Sequence, residues 1–446
     1  MTDRVVTVVG GGLAGSECAL QLARRGVRVR LFEQRPTGTA PAHHTDRLAE
    51  LVCSNSLKSL REESAAGLLK HELTVMGSML LEIARDCAVP AGAALAVDRA
   101  RFSQTVTTAV EGDALIELVR EEVTAIPDGP CVIAAGPLCS PALFSALCGL
   151  VGDSHLSFFD AAAPVVDAQT IDLSVAFSQS RYEDGAGDYL NCPMGHEEYD
   201  RFYDELVAAR RVVSRSFEGR DLFNACQPIE EVARKGRDTM RFGALKPVGL
   251  RDPRTGQRPW AVAQLRPENA EGTAYNLVGF QTNLAWGEQA RVFRMIPGLE
   301  HAEFFRYGVM HRNSFVDAPR SLDGSFAVPG TTVRLAGQIT GTEGYVEAIA
   351  SGLLAALNTC ADLLGRQRLS LPKTTALGSL VAYATDPSTD PYQPMHVNFG
   401  LMPPLGGGRM RKGERHAAYA ARAREDLAAC VAARADLFRT AGGDLS

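Results

Sequence analysis

Val5-Val6-Thr7-Val8-Val9-Gly10-Gly11-Gly12-Leu13-Ala14-Gly15 is the stretch that decides the fold. Five β-branched residues run into Gly-x-Gly-x-x-Gly, and an alanine-rich pattern of helical spacing follows. The physical reading is a buried strand, a tight turn and a helix whose first N–H groups face a pyrophosphate. Gly10 lets the chain turn sharply, Gly12 lets the backbone approach the phosphates, and Gly15 lets the helix pack close to the strand. Gly11, Leu13 and Ala14 complete the loop and count with them as cofactor-binding residues. The next strand, residues 27–32, ends at Glu33, where a carboxylate meets a ribose hydroxyl. The motif calls for a dinucleotide and does not choose between FAD and NAD.

Working outward, the 446 residues suggest two or three structural units. Apolar and charged fractions are those of a soluble globular protein. No stretch was expected to approach a membrane span, and no secretory leader is expected ahead of the first strand, so a cytoplasmic protein is anticipated. Ten cysteines without a C-x-x-C pair argue against a disulfide framework, a zinc knuckle or a dithiol redox pair. A net charge of −6 excludes a protein that is basic overall, but a local basic patch suffices for nucleic acid.

Along the chain, the first helix is expected over residues 14–25, stopped by Gly26. His43-His44 lie in a polar loop. They lack a second cluster at ligand spacing, so contact with cofactor or substrate is favoured over a metal. Ser59 and Glu62 read as a capping box opening a helix that runs to about Arg85. Asp98 caps another helix, with Phe102, Val106 and Val110 at four-residue steps. Residues 116–126 read as one or two strands, residues 131–135 as a buried strand, and residues 197–211 as a helix. A late segment, Val333 to Gly337, is again strand-like, and the run from Gly341 through Gly344 to Glu347 opens a helix rich in small residues. A second strand-turn-helix rich in glycine is typical of FAD proteins. The late helix N-terminus stabilises negative charge on the flavin, which tips the reading from NAD to FAD. Gly337, Gly341, Gly344 and Glu347 therefore join Glu33 as candidate cofactor residues.

The fold class expected is α/β: a Rossmann-type FAD-binding domain of the two-dinucleotide-fold kind, with an inserted α+β domain. The boundaries expected are 1–137 and 331–446 for the two parts of the first domain, with a helical C-terminal tail, and 138–330 for the insertion. Inside the insertion, Arg234, Lys235, Arg237, Arg241 and Lys246 begin a basic run that reaches Arg258. It reads equally well as a solvated loop or as a phosphate-contacting surface. Two cysteines stand apart from the rest. Cys53 sits in Leu-Val-Cys-Ser-Asn-Ser, shortly before a helix start. Cys226 precedes Pro228, which is suited to position N1 of a short helix. A thiol near a helix N-terminus or beside Lys and Arg carries more thiolate. Cys18, Cys87, Cys131, Cys148 and Cys360 fall in apolar patterns and read as core. Trp286 and Tyr345 are candidates for stacking on pterin, base or flavin, and equally for the core.

The chain resembles the folate- and FAD-dependent tRNA uracil-5-methyltransferases nearly end to end. The resemblance is carried by residues 10–17, 42–59, 91–103, 191–203, 238–254, 275–311, 336–352 and 392–405. Its longest runs are Asp-Thr-Met-Arg-Phe-Gly-Ala-Leu-Lys-Pro-Val-Gly-Leu and Val-Phe-Arg-Met-Ile-Pro-Gly-Leu-Glu. It implies methylation of a tRNA uridine in the TΨC loop, with 5,10-methylenetetrahydrofolate as one-carbon donor, FAD as cofactor and NAD(P)H as reductant. It places the two reactive cysteines on Cys53 and Cys226, Cys53 as nucleophile and Cys226 as partner thiol or base, with the roles exchangeable. Around Cys226 the chain has Asn224-Ala225 and Gln227 where the family has Glu-Gly and Met. The same chemistry on ribosomal RNA, a wobble-uridine-modifying relative, a flavin oxidoreductase and a non-catalytic flavin-binding adaptor are the alternatives. The wobble relative carries a further C-terminal helical domain that this chain is too short to hold. The missing C-x-x-C speaks against a disulfide reductase. The adaptor leaves two activated thiols without a use.

Overall fold

The first strand takes the centre of a five-stranded parallel sheet. A computed structural model describes residues 5–38, 43–152, 155–161, 163–182, 187–212, 227–308, 310–406 and 410–438. Strand β1 (Val5–Val9) lies between β2 (Arg28–Phe32) and the strand Cys131–Ile133. The strands Ile116–Val119 and Val333–Leu335 form the two edges. The middle of β1 is buried because helices cover both faces of such a sheet, which is why its sequence is a continuous apolar run and not an alternation.

Helix α1 (Leu13–Arg24) is buried from Leu13 to Ala23. It lies between the sheet and the 19-residue helix Tyr345–Leu363. The two helices touch through their backbones: a Cβ on Gly352 would stand 2.2 Å from the carbonyl oxygen of Ala14. Helix Tyr345–Leu363 is long and apolar enough to cross a membrane by length and composition, which the sequence reading did not anticipate. Its residues are buried from Val346 to Ala361, so here the apolar character serves the protein core.

A second, antiparallel sheet of six strands runs in the order Phe177–Ser178, Leu190–Met194, Ala261–Pro267, Ala274–Leu277, Val165–Asp167, Phe304–Arg306. It has its own core, built on Tyr199, Phe202, Phe280 and Phe293. Leu143, Leu147, Phe315 and Val328 pack instead with the parallel-sheet core. The fold is thus α/β, a Rossmann-type sheet interrupted by an α+β insertion.

Several local expectations shift. The helix expected from Ser59 to Arg85 is two helices, Ala65–Val75 and Met79–Asp86. Ser59 ends a strand, Ser56–Ser59, and Ser64 is the N-cap, its hydroxyl accepting from Gly67 N–H at 3.1 Å. A Cβ on Gly67 would stand 2.0 Å from the carbonyl of Arg61, so the chain folds back tightly before the helix begins. The break between the helices falls at Gly77, which has φ +78°. Asp98 caps its helix as expected, accepting from Arg101 N–H at 2.9 Å. Residues 116–126 supply one short strand, and the helix expected over 197–211 is His196–Ala208. Pro228 is the N-cap of helix Ile229–Arg234, one position outside the N1 place expected. The five cysteines read as core are all buried.

Candidate active site

The glycine loop opens onto a cavity of about 330 Å³. Gly10, Gly12, Leu13 and Ala14 border it on one side and Glu33 at the end of β2. Gly337, Gly344 and Tyr345 close the opposite side, and Cys53 and Ser54 complete the wall. The two glycine turns, 330 residues apart in sequence, therefore face one space, because their strands lie in the same sheet on either side of Cys131–Ile133.

The remaining cofactor candidates support this wall from behind. Gly11 donates its N–H to Glu33 Oε2 at 2.9 Å. A Cβ on Gly15 would stand 1.8 Å from the carbonyl oxygen of Gly10, so its role is close packing. Gly341 abuts the Tyr392 hydroxyl, with φ +78°. Glu347, 1% exposed at its side chain, pairs with Lys58 Nζ at 3.3 Å.

The loop fits a dinucleotide. A Cβ on Gly12 would meet nothing within 4 Å, so the space over the loop is open to a phosphate. No side chain caps the N-terminus of α1 and no acidic residue stands in its first turn, which leaves the helix end to an anion. Burial alone would raise the Glu33 carboxyl. The hydrogen bonds and charge of Arg35, with the Gly11 N–H, outweigh burial and hold it below the ordinary value, so it stays an ionised acceptor. His43 lines the same cavity and is kept neutral first by burial and then by the positive charge of Arg35. Among the described residues no group of three His, Cys, Asp or Glu is placed to hold a metal.

Cys53 lies in a loop clamped from three directions. Its N–H donates to the Tyr345 hydroxyl at 2.7 Å, and Ser54 N–H donates to the same oxygen at 3.1 Å. Tyr345, expected to stack or to be core, thus ties the thiol loop to the first turn of the long helix through its hydroxyl. Arg99 donates to the carbonyl of Leu51 at 2.7 Å and forms an ion pair with Glu268. Arg266 donates to Asn55 Oδ1 at 2.8 Å, and Asn55 Nδ2 reaches the carbonyls of Val97 at 3.0 Å and Pro267 at 2.9 Å. Arg306 shares this cluster: burial, then the charge of Arg99, pushes it down to about 10. Three guanidiniums against one carboxylate make the surroundings of Cys53 a place for negative charge. None of these arginines was among the candidates. Arg266 was visible as the one charge in the strand Ala261–Pro267, which is buried along its whole length.

Cys226 lies outside the described residues. The described chain resumes at Gln227, and Ile229 donates its N–H at 2.7 Å to the carbonyl of Gln281, a residue of the cavity wall. Part of the basic run is folded onto carboxylates of the insertion. Arg237 pairs with Asp200 at 2.8 Å and Asp204 at 2.5 Å, Arg241 with Asp238 at 2.6 Å, and Arg254 with Asp252 at 2.8 Å. Arg234 donates to the carbonyl of Val207, and Lys235 to the side chain of Gln227. Lys246 is partly buried.

The family described as glucose inhibited division protein A matches residues 5–367. Over 427 residues, the chain is 53% identical to a methylenetetrahydrofolate–tRNA-(uracil-5-)-methyltransferase TrmFO of Moorella thermoacetica, covering 95% of this chain and 98% of that protein. The chain belongs to the TrmFO family. The TrmFO of Bacillus cereus strain AH187 is 50% identical over 428 residues, 96% of this chain and 99% of its own. Among solved structures, GidA of Aquifex aeolicus in its form I crystal superposes with a TM-score of 0.69 at 17% identity, over 95% of this chain and 76% of that one. The form II crystal gives 0.68 at 16%, over 95% and 73%. These likenesses show the shared fold. Of the two cysteines to which the resemblance assigned chemistry, Cys53 lies in the cavity wall and Cys226 lies outside the described residues.

Proposed function

We propose that this TrmFO-family protein transfers a one-carbon unit from 5,10-methylenetetrahydrofolate to C5 of a uridine in tRNA and reduces it to a methyl group, with electrons from NAD(P)H reaching the substrate through FAD. One observation carries the reading: a single cavity brings the Cys53 loop against both glycine turns. FAD would be held by Gly10, Gly12, Leu13, Ala14, Glu33, Gly337 and Gly344, with Gly11, Gly15 and Gly341 packing behind them, and would supply the hydride for the reduction.

The protein's own part follows from its residues. Uracil C5 is a poor nucleophile. Addition of the Cys53 thiolate to C6 saturates the 5,6 bond and moves an electron pair toward the C4 carbonyl, so that C5 can attack the folate methylene. A base then removes the C5 proton, and Cys226 is the candidate for it. One C–N bond of the folate methylene breaks as C5 attacks and the second as the C5 proton leaves, so tetrahydrofolate departs. The exocyclic methylene so formed accepts the hydride, and expulsion of the Cys53 sulfur then restores the thiolate and the 5,6 double bond. Arg99, Arg266 and Arg306 favour the negative charge that passes through this sequence. Arg234, Lys235, Arg237, Arg241 and Lys246 remain the proposed phosphate-contacting surface, although several would exchange a carboxylate partner for RNA. A cytoplasmic location fits a tRNA substrate.

The test is incubation of the purified FAD-loaded protein with unmodified tRNA transcript, methylenetetrahydrofolate and NADPH, followed by nucleoside analysis. 5-Methyluridine is expected. A parallel reaction on ribosomal RNA decides against the reading if only that RNA is methylated.

A further inference from the structure

Three aromatic rings outside the cavity form a near-parallel series. Trp286 and Tyr307 stack with ring centroids 5.8 Å apart and planes 15° from parallel. Tyr307 and Phe304 follow at 5.3 Å and 22°. The inner ring, Phe304, rests against the second core. The outer ring, Trp286, heads the helix Trp286–Phe293 and is 61% exposed, as is Phe305. Rings of this size left in water forgo much of their burial energy. A stack closed at one end and open at the other accepts one more flat ring at little geometric cost.

Its position says which ring. Arg306 stands between Phe305 and Tyr307 in the chain and belongs to the charge cluster of Cys53, Arg99, Glu268 and Tyr345. Nε and Nη2 of Arg306 are buried and find no hydrogen-bond partner among the described residues, so the strand that carries the stack also carries an unpaired guanidinium of the Cys53 cluster. Neither Trp286 nor Tyr307 borders the cavity between the glycine turns. A pterin that meets the flavin must sit in that cavity, whereas a base flanking the target uridine belongs beside it. Loop RNA recognised by proteins has its bases splayed out and stacked on aromatic side chains, with cationic groups along the strand.

We propose that the open face of Trp286, backed by Tyr307 and Phe304, stacks an unpaired nucleobase of the tRNA loop next to the uridine presented to Cys53. The proposal rests on the tRNA reading above and adds the residue that grips the loop.

Steady-state methylation by the FAD-loaded Trp286→Ala and Trp286→Phe variants, with tRNA transcript as varied substrate, tests it. Trp286→Ala is expected to raise the KM for tRNA about ten- to a hundredfold, the range for loss of one stacked base. The kcat, the KM for folate and the rate of flavin reduction by NADPH should stay within about twofold. Trp286→Phe should recover most of the loss, which a merely structural role of the indole would not require. Tryptophan fluorescence of the wild-type protein should be quenched by tRNA, and that quenching should vanish in Trp286→Ala. An unchanged tRNA KM in Trp286→Ala overturns the proposal, and so does a rise confined to the folate KM, which would put the pterin on the ring. If the wild-type holoenzyme methylates no tRNA, the substrate reading itself fails before any variant is compared.

Discussion

Cys53 is surrounded by groups drawn from separate parts of the chain: Arg99 after one short strand, Arg266 and Arg306 on two strands of the insertion, and Tyr345 at the start of the long helix. Its own neighbours, Ser54 and Asn55, serve the backbone that presents it. Cys53→Ala is expected to abolish formation of 5-methyluridine, to below about one hundredth of wild type, while the purified variant stays yellow with an unchanged flavin content. Nucleoside analysis and the visible spectrum check this together. Full activity in the variant would remove the thiol addition from the mechanism. The candidate thiol stood out in the sequence because a cysteine among small polar residues is unlike the cysteines in apolar runs, although the helix expected just after it is the strand Ser56–Ser59. Its charged surroundings were only partly legible: Arg266 stands out as a charge in a buried strand, whereas Arg99 and Arg306, taken alone, read as solvated side chains.

At the scale of elements, helix ends are closed by carboxylates from distant helices. Glu17 of α1 accepts from Met79 N–H at 3.1 Å and Leu80 N–H at 2.8 Å, at the start of helix Met79–Asp86. Glu72 accepts from Ala376 N–H at 2.6 Å and Leu377 N–H at 2.9 Å, at the start of helix Ala376–Thr385. Burial outweighs these hydrogen bonds and pushes Glu72 up to about 7. A carboxyl raised in the native state binds its proton more tightly there than in the unfolded chain. Its contribution is therefore complete below about pH 4.5 and is lost as pH rises through about 7. Glu72→Gln keeps one acceptor and cannot titrate. The melting temperature of wild type should exceed that of the variant most near pH 5, and the gap should narrow steadily toward pH 8. A gap that widens with pH would reverse the assignment.

Helix contact gives a second prediction at this scale. In an ordinary helix interior, replacing Gly by Ala gains about 1 kcal/mol. At Gly352 the new Cβ would stand 2.2 Å from a backbone oxygen of α1, which cannot swing aside as a side chain can. Overpacking of this kind costs about 1–3 kcal/mol, so it outweighs the propensity gain. Gly352→Ala should lower the melting temperature and, because α1 carries the glycine loop, weaken FAD retention. Thermal melts of apo and FAD-loaded protein read both effects.

For the whole molecule, the inserted sheet does more than add a surface. Its strand Ala261–Pro267 reaches the thiol loop through Arg266 and the carbonyl of Pro267, so the insertion and that loop are tied by hydrogen bonds. Within the basic run of the insertion, Arg237, Arg241 and Arg254 are paired with Asp200, Asp204, Asp238 and Asp252. Binding RNA there would exchange one anion for another, and the salt dependence of tRNA affinity should be shallower than eight cationic residues suggest. Combined charge reversal at Arg234, Lys235 and Arg237 should weaken tRNA binding and flatten the slope of log Kd against log salt. An unchanged slope in filter binding would move the RNA surface elsewhere on the protein.

The sequence by itself determined the Rossmann strand-turn-helix and the second glycine turn, because these depend on local backbone rules: apolar runs for buried strands, glycine where backbones touch or turn. The family came from its resemblance over long matching segments. It also marked Cys53 and Cys226 among the ten cysteines. The tertiary structure alone decided which charges surround that thiol, which glycines face the cavity and which only pack behind it, and that Tyr345 acts through its hydroxyl while Trp286 stands outside as the end of a ring stack. Those facts depend on which side chains meet across hundreds of residues. Such meetings are fixed by how two sheets and a long apolar helix pack, and no spacing along the chain encodes them.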